Sequence, residues 1–352
     1  MYTIIPAFLT AFLITYFAIP SIIKIAVEKH LVDEPDERRS HDKNIPTLGG
    51  LGIFAGLIFS VTYWIPFSSE AYPSHQYIQY ILCAFIVIFL IGAKDDIIPI
   101  SPSKKFLGQI AAALLLVYNA KIQLTSLYGI FWIQDIPEWV GIILSVFTMI
   151  VIINALNLID GINGLSATIG CIVSLTFGAW FYKVGRLDLA ILSAALAGSL
   201  IAFLRYNVSP AQIFMGDTGS LLIGLTSSIL AISFIEMNKS YVNEWTIQSV
   251  PAVAVGILII PLFDTLRVFT RRILKGKSPF YPDKTHIHHL LLDIGCSHSQ
   301  ATIILSVTNI AFIIFVYLLQ GLGTLPLLFL TLGLAFLLTL MVEIIRRKKL
   351  NL

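Results

Sequence analysis

Long apolar runs constrain this chain more than any other feature of its sequence. Of its 352 residues, 57% are hydrophobic and 12% are charged, whereas a soluble domain carries about 25% charged residues. The hydrophobic residues fall into runs of about 20, which is long enough for a helix to cross a bilayer. Polar stretches are all too short for an independent soluble core. The sequence therefore predicts an all-α, polytopic integral membrane protein in which residues 1–352 form a single domain.

Eleven of these runs are predicted to span the membrane. Their approximate extents are 2–24, 48–66, 77–93, 105–119, 137–154, 165–183, 188–204, 217–235, 248–270, 299–319 and 324–345. One alternating set of loops holds 19 of the 23 Lys and Arg residues, and basic loops stay in the cytoplasm. This pattern predicts an external N-terminus, a cytoplasmic C-terminus, and cytoplasmic loops near 28–47, 94–104, 155–164, 205–216 and 271–298.

Carboxylates gather on the predicted cytoplasmic side, at or near the ends of apolar runs. They are Asp95, Asp96, Asp160, Asp217 and Asp264. Ionised groups at membrane depth are costly and usually functional, so the group suggests a site for a metal ion and a phosphorylated substrate. The adjacent Asp95 and Asp96 repel each other, and Mg²⁺ prefers such oxygens and bridges to phosphate. A solvated pair after a helix is the alternative.

A polar stripe runs through residues 154–165. Asn154, Asn157 and Asp160 are spaced by three, which puts them on one helical face, and Asn163 continues the stripe if the helix persists. Gly161 and Gly164 make a turn here plausible and let a backbone approach a ligand closely. A seam of hydrogen bonds to a neighbouring helix could explain the amides, but it does not readily explain an aspartate beside glycine.

The segment Gly216-Asp-Thr-Gly-Ser220 opens a predicted membrane helix. Backbone N–H groups at a helix start bind anions, and Asp217 could instead hold the metal ion that binds them. The alternative is a helix cap, since Asp and Thr both cap well. Asn207 and Phe214 lie just before this segment.

Two further polar segments are candidates for contact with a phosphate. His286, His288 and His289 crowd into a basic loop, where imidazoles could bind a diphosphate or ligate a transition metal. No glutamate stands at the spacing of a zinc protease, so the anion is the better interpretation. The basic segment that contains His41 and Lys43 could touch a phosphate, or it could only anchor at anionic headgroups.

Taken together, these segments resemble the polyprenyl-phosphate N-acetylhexosamine-1-phosphate transferase family (glycosyltransferase 4 family), which is related to muramyl-pentapeptide transferase. The resemblance covers about residues 35–295, with the motifs in family order. The matches are His41 with Pro46, Thr47, Gly49 and Gly50; Asp95-Asp96; Asn154 to Leu165; Asn207 with Phe214 to Leu221; and Asp283 to His289. The last segment looks like the N-acetylglucosamine-1-phosphate branch. One position departs from the family, because Asn163 stands where most relatives carry aspartate.

The resemblance implies a reaction in which UDP-N-acetylglucosamine and undecaprenyl phosphate give undecaprenyl-diphospho-N-acetylglucosamine and UMP. This step initiates a cell-surface glycan such as lipopolysaccharide O-antigen or teichoic acid, at the cytoplasmic face of the bacterial inner membrane. It further implies Mg²⁺, with Mn²⁺ as a substitute, and is compatible with a homodimer among membrane lipids. No nucleic-acid partner is expected.

The resemblance also assigns roles to single residues, as hypotheses. Asp96 and Asp217 would hold the metal ion, and Asp95 would orient or deprotonate the lipid phosphate. Asp160 and Asn163 would bind the nucleoside, Phe214 would stack on the uracil, and Asn207 would contact ribose or phosphate. Asn154 and Asn157 belong to the same substrate-binding stripe. The three histidines, with Arg271 or Arg272, would hold the donor diphosphate or sugar.

Two alternatives from other classes remain at this point. A transporter would also place carboxylates at membrane depth, but it usually spreads them through the bilayer or pairs them near its midplane. A lipid phosphotransferase with a CDP-alcohol donor uses membrane-edge aspartates too, but its spaced-aspartate signature is absent from this sequence. Asp264 is the carboxylate we assign to structure, because Arg267 lies one turn further on and an ion pair accounts for it.

Overall fold

The protein is described by a computed structural model that covers residues 3–33, 45–65, 77–240, 244–276 and 285–350. Thirteen α-helices form within these residues. They are α1 (Ile4–Glu28), α2 (Gly49–Trp64), α3 (Tyr77–Ile97), α4 (Pro102–Tyr118), α5 (Glu138–Leu158), α6 (Leu165–Lys183), α7 (Leu187–Asn207), α8 (Gly216–Ser240), α9 (Val250–Ile257), α10 (Ile259–Leu274), α11 (Ile287–Asp293), α12 (His298–Leu318) and α13 (Thr324–Leu350). Two short antiparallel strands, β1 (Val32–Asp33) and β2 (Ile45–Pro46), precede α2. The prediction of an all-α membrane protein is confirmed in its class.

The helices run back and forth between two ends of one bundle. At one end, the Ser60 hydroxyl near the end of α2 donates to the Ala7 carbonyl near the start of α1, at 2.6 Å. Arg186 Nη2, just before α7, donates to the Tyr77 hydroxyl that opens α3, at 2.8 Å. The loop before α5 reaches the end of α8, where the Thr125 backbone N–H donates to Glu236 Oε2 at 3.0 Å. The opposite end carries the candidate site.

With α9 and α10 counted as one, eleven helical segments of the described residues overlap the eleven predicted spans along the sequence. Eight helices are long and apolar enough to cross a membrane, or nine if the bent pair is one span. The helices α2 and α4 have 16 and 17 residues. At about 1.5 Å per residue they are shorter than a hydrocarbon core of about 30 Å.

The span predicted at 248–270 is not one continuous helix. It breaks between α9 and α10, which meet at 85°. Pro261 explains the break, because its ring clashes with the carbonyl four residues earlier, at Ile257, and it has no N–H to donate. Ile257 is the last residue of α9.

The helix α8 lies at the centre of the bundle, and 94% of its apolar 18-residue stretch is buried. Neighbouring helices contact it at glycines. A Cβ on Gly50 of α2 would lie 2.2 Å from the Gly219 nitrogen, and one on Gly92 of α3 would lie 2.5 Å from the Thr218 Cα. Small residues let helices in membranes approach closely. These contacts bring the first turn of α8 against the start of α2 and the end of α3.

Candidate functional site

A polar cavity of about 590 Å³ opens at the site end of the bundle. It lies among the ends of α3, α5 and α7, the starts of α8 and α12, and the loops between them. Most of the predicted site residues line it: Asp95, Asp96, Asn157, Asp160, Asn163, Asn207, Phe214, Asp217 and His289. The sequence thus predicted which segments meet here, although they are far apart along the chain.

Asp217, in the first turn of α8, is held at the cavity wall by two side chains from other helices. Asn157 Nδ2 of α5 donates to Asp217 Oδ1 at 2.5 Å and to the Ser220 hydroxyl at 2.8 Å. Lys105 Nζ of α4 lies 2.6 Å from Asp217 Oδ2 and 3.3 Å from Asp95 Oδ2. One ammonium group therefore bridges two of the cavity's carboxylates.

Asp96 caps α8 from the neighbouring helix α3. Its Oδ1 accepts from the Asp217 backbone N–H at 2.6 Å, and its Oδ2 accepts from the Thr218 backbone N–H at 3.0 Å and the Thr218 hydroxyl at 2.6 Å. A carboxylate at a helix start is favoured by the unpaired N–H groups there. Both oxygens are thus occupied in fixing the position of Asp217.

The turn before α8 requires glycine. Gly216 has φ +73°, and a Cβ there would lie 2.1 Å from the Thr47 carbonyl oxygen and 2.6 Å from Asp96 Oδ1. The adjoining backbone is tied to the start of α2, because the N–H groups of Gly49 and Gly50 donate to the carbonyls of Phe214 and Met215 at 3.0 and 2.8 Å.

Asp160 lies in the turn after α5 and faces the other carboxylates. Burial raises the pKa of its carboxyl to about 8, and the negative charges of Asp217 and Asp96 add to the effect. The described surroundings of Asp160 therefore favour its neutral form, and a cation bound nearby would favour the ionised form.

Asn163 and Asn207 organise the loops around the cavity. Asn207 Oδ1 accepts from the Gly164 backbone N–H at 2.7 Å, and its Nδ2 donates to the Ile213 carbonyl at 2.8 Å. Asn163 Nδ2 donates to the Ser209 hydroxyl at 2.9 Å. Asn207 therefore ties the loop before α6 to the loop before α8, while the Asn163 side chain is at the cavity surface.

The three histidines have different environments. His289 lines the cavity. His288 is 1% exposed, and both of its ring nitrogens lack a hydrogen-bond partner within the described structure. Burial lowers the pKa of its imidazole to about 3, with a contribution from His289. A Cβ on Gly161 would lie 2.4 Å from His288 Nε2, so His288 packs directly beneath the Asp160 turn.

His286 is held by Asp264, away from the cavity. His286 Nδ1 lies 2.8 Å from Asp264 Oδ2, while Asp264 Oδ1 accepts from the Ile287 backbone N–H at 2.9 Å. Arg267 Nη2 donates to Asp264 Oδ1 at 2.8 Å and to the Thr285 carbonyl. The predicted pair of Asp264 with Arg267 is confirmed. Asp264 also fixes the start of α11, and this sets the positions of the three histidines.

Some predicted residues do not line the polar cavity. Asn154 lies deeper in the bundle, where its Nδ2 donates to Gln109 Oε1 at 2.8 Å. Arg271 lines a separate cavity with Glu343 of α13, and Arg272 is buried with its guanidinium 5.9 Å from the Phe269 ring centre. His41 and Lys43 lie outside the described residues.

The sequence interpretation missed three residues that line the cavity or contact its carboxylates. In the sequence, Lys105 was used only to predict the membrane orientation, and Thr218 was considered only as a helix cap. His298 was not considered. His298 lines the cavity, and its Nδ1 accepts from the Asn163 backbone N–H at 3.5 Å. The only available signal for Lys105 was its position at the start of a helix on the acidic side.

Known proteins match this chain over most of its length. The sequence model of glycosyl transferase family 4 matches residues 78–235. A probable undecaprenyl-phosphate N-acetylglucosaminyl 1-phosphate transferase of Bacillus subtilis (strain 168) is 34% identical over 323 residues, covering 91% of this chain and 86% of the relative. An undecaprenyl-phosphate alpha-N-acetylglucosaminyl 1-phosphate transferase of Escherichia coli (strain K12) is 33% identical over 312 residues, covering 86% and 79%. One from Yersinia pestis is 31% identical over 289 residues, covering 80% and 75%.

Proposed function

The chain belongs to glycosyl transferase family 4, and from this membership we propose that it transfers N-acetylglucosamine 1-phosphate from UDP-N-acetylglucosamine to undecaprenyl phosphate. The products are undecaprenyl-diphospho-N-acetylglucosamine and UMP. The observation that carries the proposal is the placement of Asp217 in the polar cavity, where Asn157 and Lys105 hold it at the start of α8. The names of the matching relatives supply the substrates.

In the proposed reaction, an oxygen of the lipid phosphate attacks the sugar-linked phosphorus. A new P–O bond forms there, the diphosphate P–O bond breaks, and UMP leaves. Phosphoryl transfer depends mainly on positioning and on neutralising charge. Lys105 supplies a positive charge beside the carboxylates. The lipid phosphate needs little help to lose its proton, because its second pKa is about 6. Asp95 therefore has mainly to orient it.

The residues around the rim would hold the donor. Asp160, Asn163 and Phe214 line the same cavity and would contact the nucleoside, with the Phe214 ring against the uracil. His289 faces the cavity and would contact the diphosphate or sugar. His286 and His288 would position His289. Asp264 binds His286 and fixes the start of α11, and His288 packs against the Asp160 turn.

We propose Mg²⁺ as the cofactor, with Mn²⁺ as a substitute. Among the described residues no three His, Cys, Asp or Glu side chains form a metal-binding group. Mg²⁺ is commonly held by one or two carboxylates together with substrate phosphates, and the uncompensated charge around Asp160 fits that mode. The sequence assigned the ion to Asp96 and Asp217, but both oxygens of Asp96 accept hydrogen bonds from the start of α8. We therefore propose Asp217 and Asp95 as its ligands, with Asp96 positioning Asp217 through the cap. When bound, the ion would neutralise the diphosphate.

We further propose eleven membrane crossings with the cavity facing the cytoplasm of a bacterial inner membrane. Support comes from the eleven helical segments that overlap the predicted spans and from the 19 Lys and Arg residues in the loops that the sequence predicts to be cytoplasmic. UDP-sugars are cytoplasmic, which fits this orientation. We propose that the product initiates a cell-surface glycan, such as O-antigen or teichoic acid, without assigning one of them. A homodimer is a further proposal, to be checked by light scattering.

A panel of UDP-sugars with undecaprenyl phosphate and Mg²⁺ tests the function, with UMP release as the readout. UDP-N-acetylglucosamine should be the best donor. Preference for another UDP-N-acetylhexosamine would change the donor but keep the reaction, and no UMP release with any donor would refute the proposal.

Asp217→Asn should abolish turnover, whereas Asp135→Asn, on an exposed side chain at the opposite end of the bundle, should leave it unchanged. Retained activity of Asp217→Asn with unchanged Mg²⁺ dependence would refute the metal assignment. Exchange of label between UMP and the UDP-sugar without lipid acceptor would show a covalent intermediate in place of direct displacement.

A further inference from the structure

A second polar site lies between α10 and α13, separate from the cavity described above. Here Arg267, Arg271 and Arg347 line a cavity of about 340 Å³ that also contains Glu343. Glu343 Oε1 is 3.4 Å from Arg271 Nη1 and 3.7 Å from Arg347 Nη2. Glu343 thus faces two guanidinium groups, while Arg267 pairs with Asp264 at 2.8 Å. The three arginines and these two carboxylates leave a net charge of +1 among the described residues.

The charge in this cavity is not fully satisfied by the protein. The contacts of Glu343 with Arg271 and Arg347, at 3.4 and 3.7 Å, are longer than the 2.7–2.9 Å or so of strong charge-assisted hydrogen bonds. An anion of the size of a phosphate could make closer contacts with these two guanidinium groups than Glu343 does.

An apolar cavity of about 180 Å³ adjoins the arginines on the side toward the middle of the bundle. The two cavities share Thr339 of α13. Along α10, Phe263 lines the apolar cavity, while Arg267 and Arg271 follow at successive turns toward the site end and line the basic one. A single groove therefore has an apolar deep part and a basic end where the helices leave the membrane.

We propose that this groove binds an anionic phospholipid of the surrounding bilayer, with its phosphate on the arginines and an acyl chain in the apolar cavity. Basic pockets between membrane helices on the cytoplasmic side suit anionic headgroups, and the order of apolar and basic parts matches the order of chain and headgroup. The groove shares no lining residue with the polar cavity. That separation favours a bilayer lipid over the reacting lipid phosphate.

Native mass spectrometry of the detergent-purified protein tests this, with phosphatidylglycerol, phosphatidylcholine and undecaprenyl phosphate as probes. One phosphatidylglycerol should bind more tightly than phosphatidylcholine. Arg347→Gln should weaken it about fivefold, as expected for the loss of one basic contact. Lys348→Gln, which removes the same charge from the next residue outside the cavity, should not. Arg271→Gln should add to the loss, and Arg347→Lys should restore most of the binding.

A separate variant tests the apolar part of the groove. Ala335 of α13 lines the apolar cavity, and Ala335→Leu would fill it with the arginines intact, so phosphatidylglycerol should again bind more weakly. Equal binding by Arg347→Gln and Lys348→Gln, or equal binding of phosphatidylglycerol and phosphatidylcholine, would overturn the proposal. So would tighter, Arg347-dependent binding of undecaprenyl phosphate, which would make the groove an acceptor site. All readouts are of binding, so they do not depend on the proposed catalytic function.

Discussion

Asp96→Asn should lower the thermal stability of the protein even in the absence of divalent cations. The Asp96 carboxylate accepts three hydrogen bonds from the first turn of α8, at 2.6, 3.0 and 2.6 Å. Asparagine offers only one oxygen, and its amide group would face a backbone N–H that also donates. The variant therefore loses at least one bond from this cap and all of its negative charge.

The magnitude follows from those contacts. A hydrogen bond to a charged group contributes about 1.5–3 kcal/mol, and a charge at a helix start adds roughly 0.3–1 kcal/mol. Removing one carboxylate also removes the cost of burying its charge and its repulsion with Asp217, and both act in the opposite direction. We expect a net loss of about 1 kcal/mol, seen as a fall of a few degrees in the unfolding temperature.

The assay is thermal unfolding of the purified protein with a chelator, followed by tryptophan fluorescence. Asp160→Asn is the matched control, because it removes a carboxylate from the same cavity whose ionised form is disfavoured by burial. It should not lower the unfolding temperature. If Asp96 served only as a metal ligand, its removal without metal would be neutral or stabilising. An unfolding temperature of Asp96→Asn at or above that of the unaltered protein would therefore refute the cap.

Three further changes follow from single contacts. Gly216→Ala should destabilise by about 1–2 kcal/mol from the left-handed φ alone and reduce UMP release, since its Cβ meets the Thr47 carbonyl oxygen. Asp160→Asn should gain stability over the unaltered protein as pH rises from about 4 toward 8, measured by unfolding with chelator, because the folded-state pKa of about 8 exceeds the unfolded value of 3.8 and ionisation then opposes folding. Asp264→Asn should lower both unfolding temperature and kcat, because it leaves Arg267, whose side chain is 12% exposed, without its carboxylate, a loss of about 3 kcal/mol.

The meeting of the polar segments could be predicted from the sequence because helices that alternate between two ends bring every second loop together. Asp95, Asp160 and Asp217 follow or open apolar runs at the same end, and the structure places all three at one cavity. The positions of the carboxylates at the ends of apolar runs were sufficient for this prediction. The ends of membrane helices are set by hydrophobic length, and the basic residues mark which end is which.

The partners of those side chains could not be predicted, because they come from contacts between distant helices. Asp96 and Asp95 are neighbours in the chain and looked equivalent, yet one caps α8 and the other faces Lys105. The histidines likewise looked like one cluster. Only His289 reaches the cavity, because α11 starts on Asp264 and turns His288 into the protein.

Lys105 connects the resting structure to the proposed chemistry. Lys105 Nζ lies between Asp95 and Asp217 and offsets part of the repulsion between these two carboxylates before any substrate arrives. A UDP-sugar and a lipid phosphate both bring further negative charge to a cavity already lined by Asp95, Asp160 and Asp217. On this argument, we expect binding of the anionic substrates to depend on a cation entering with them.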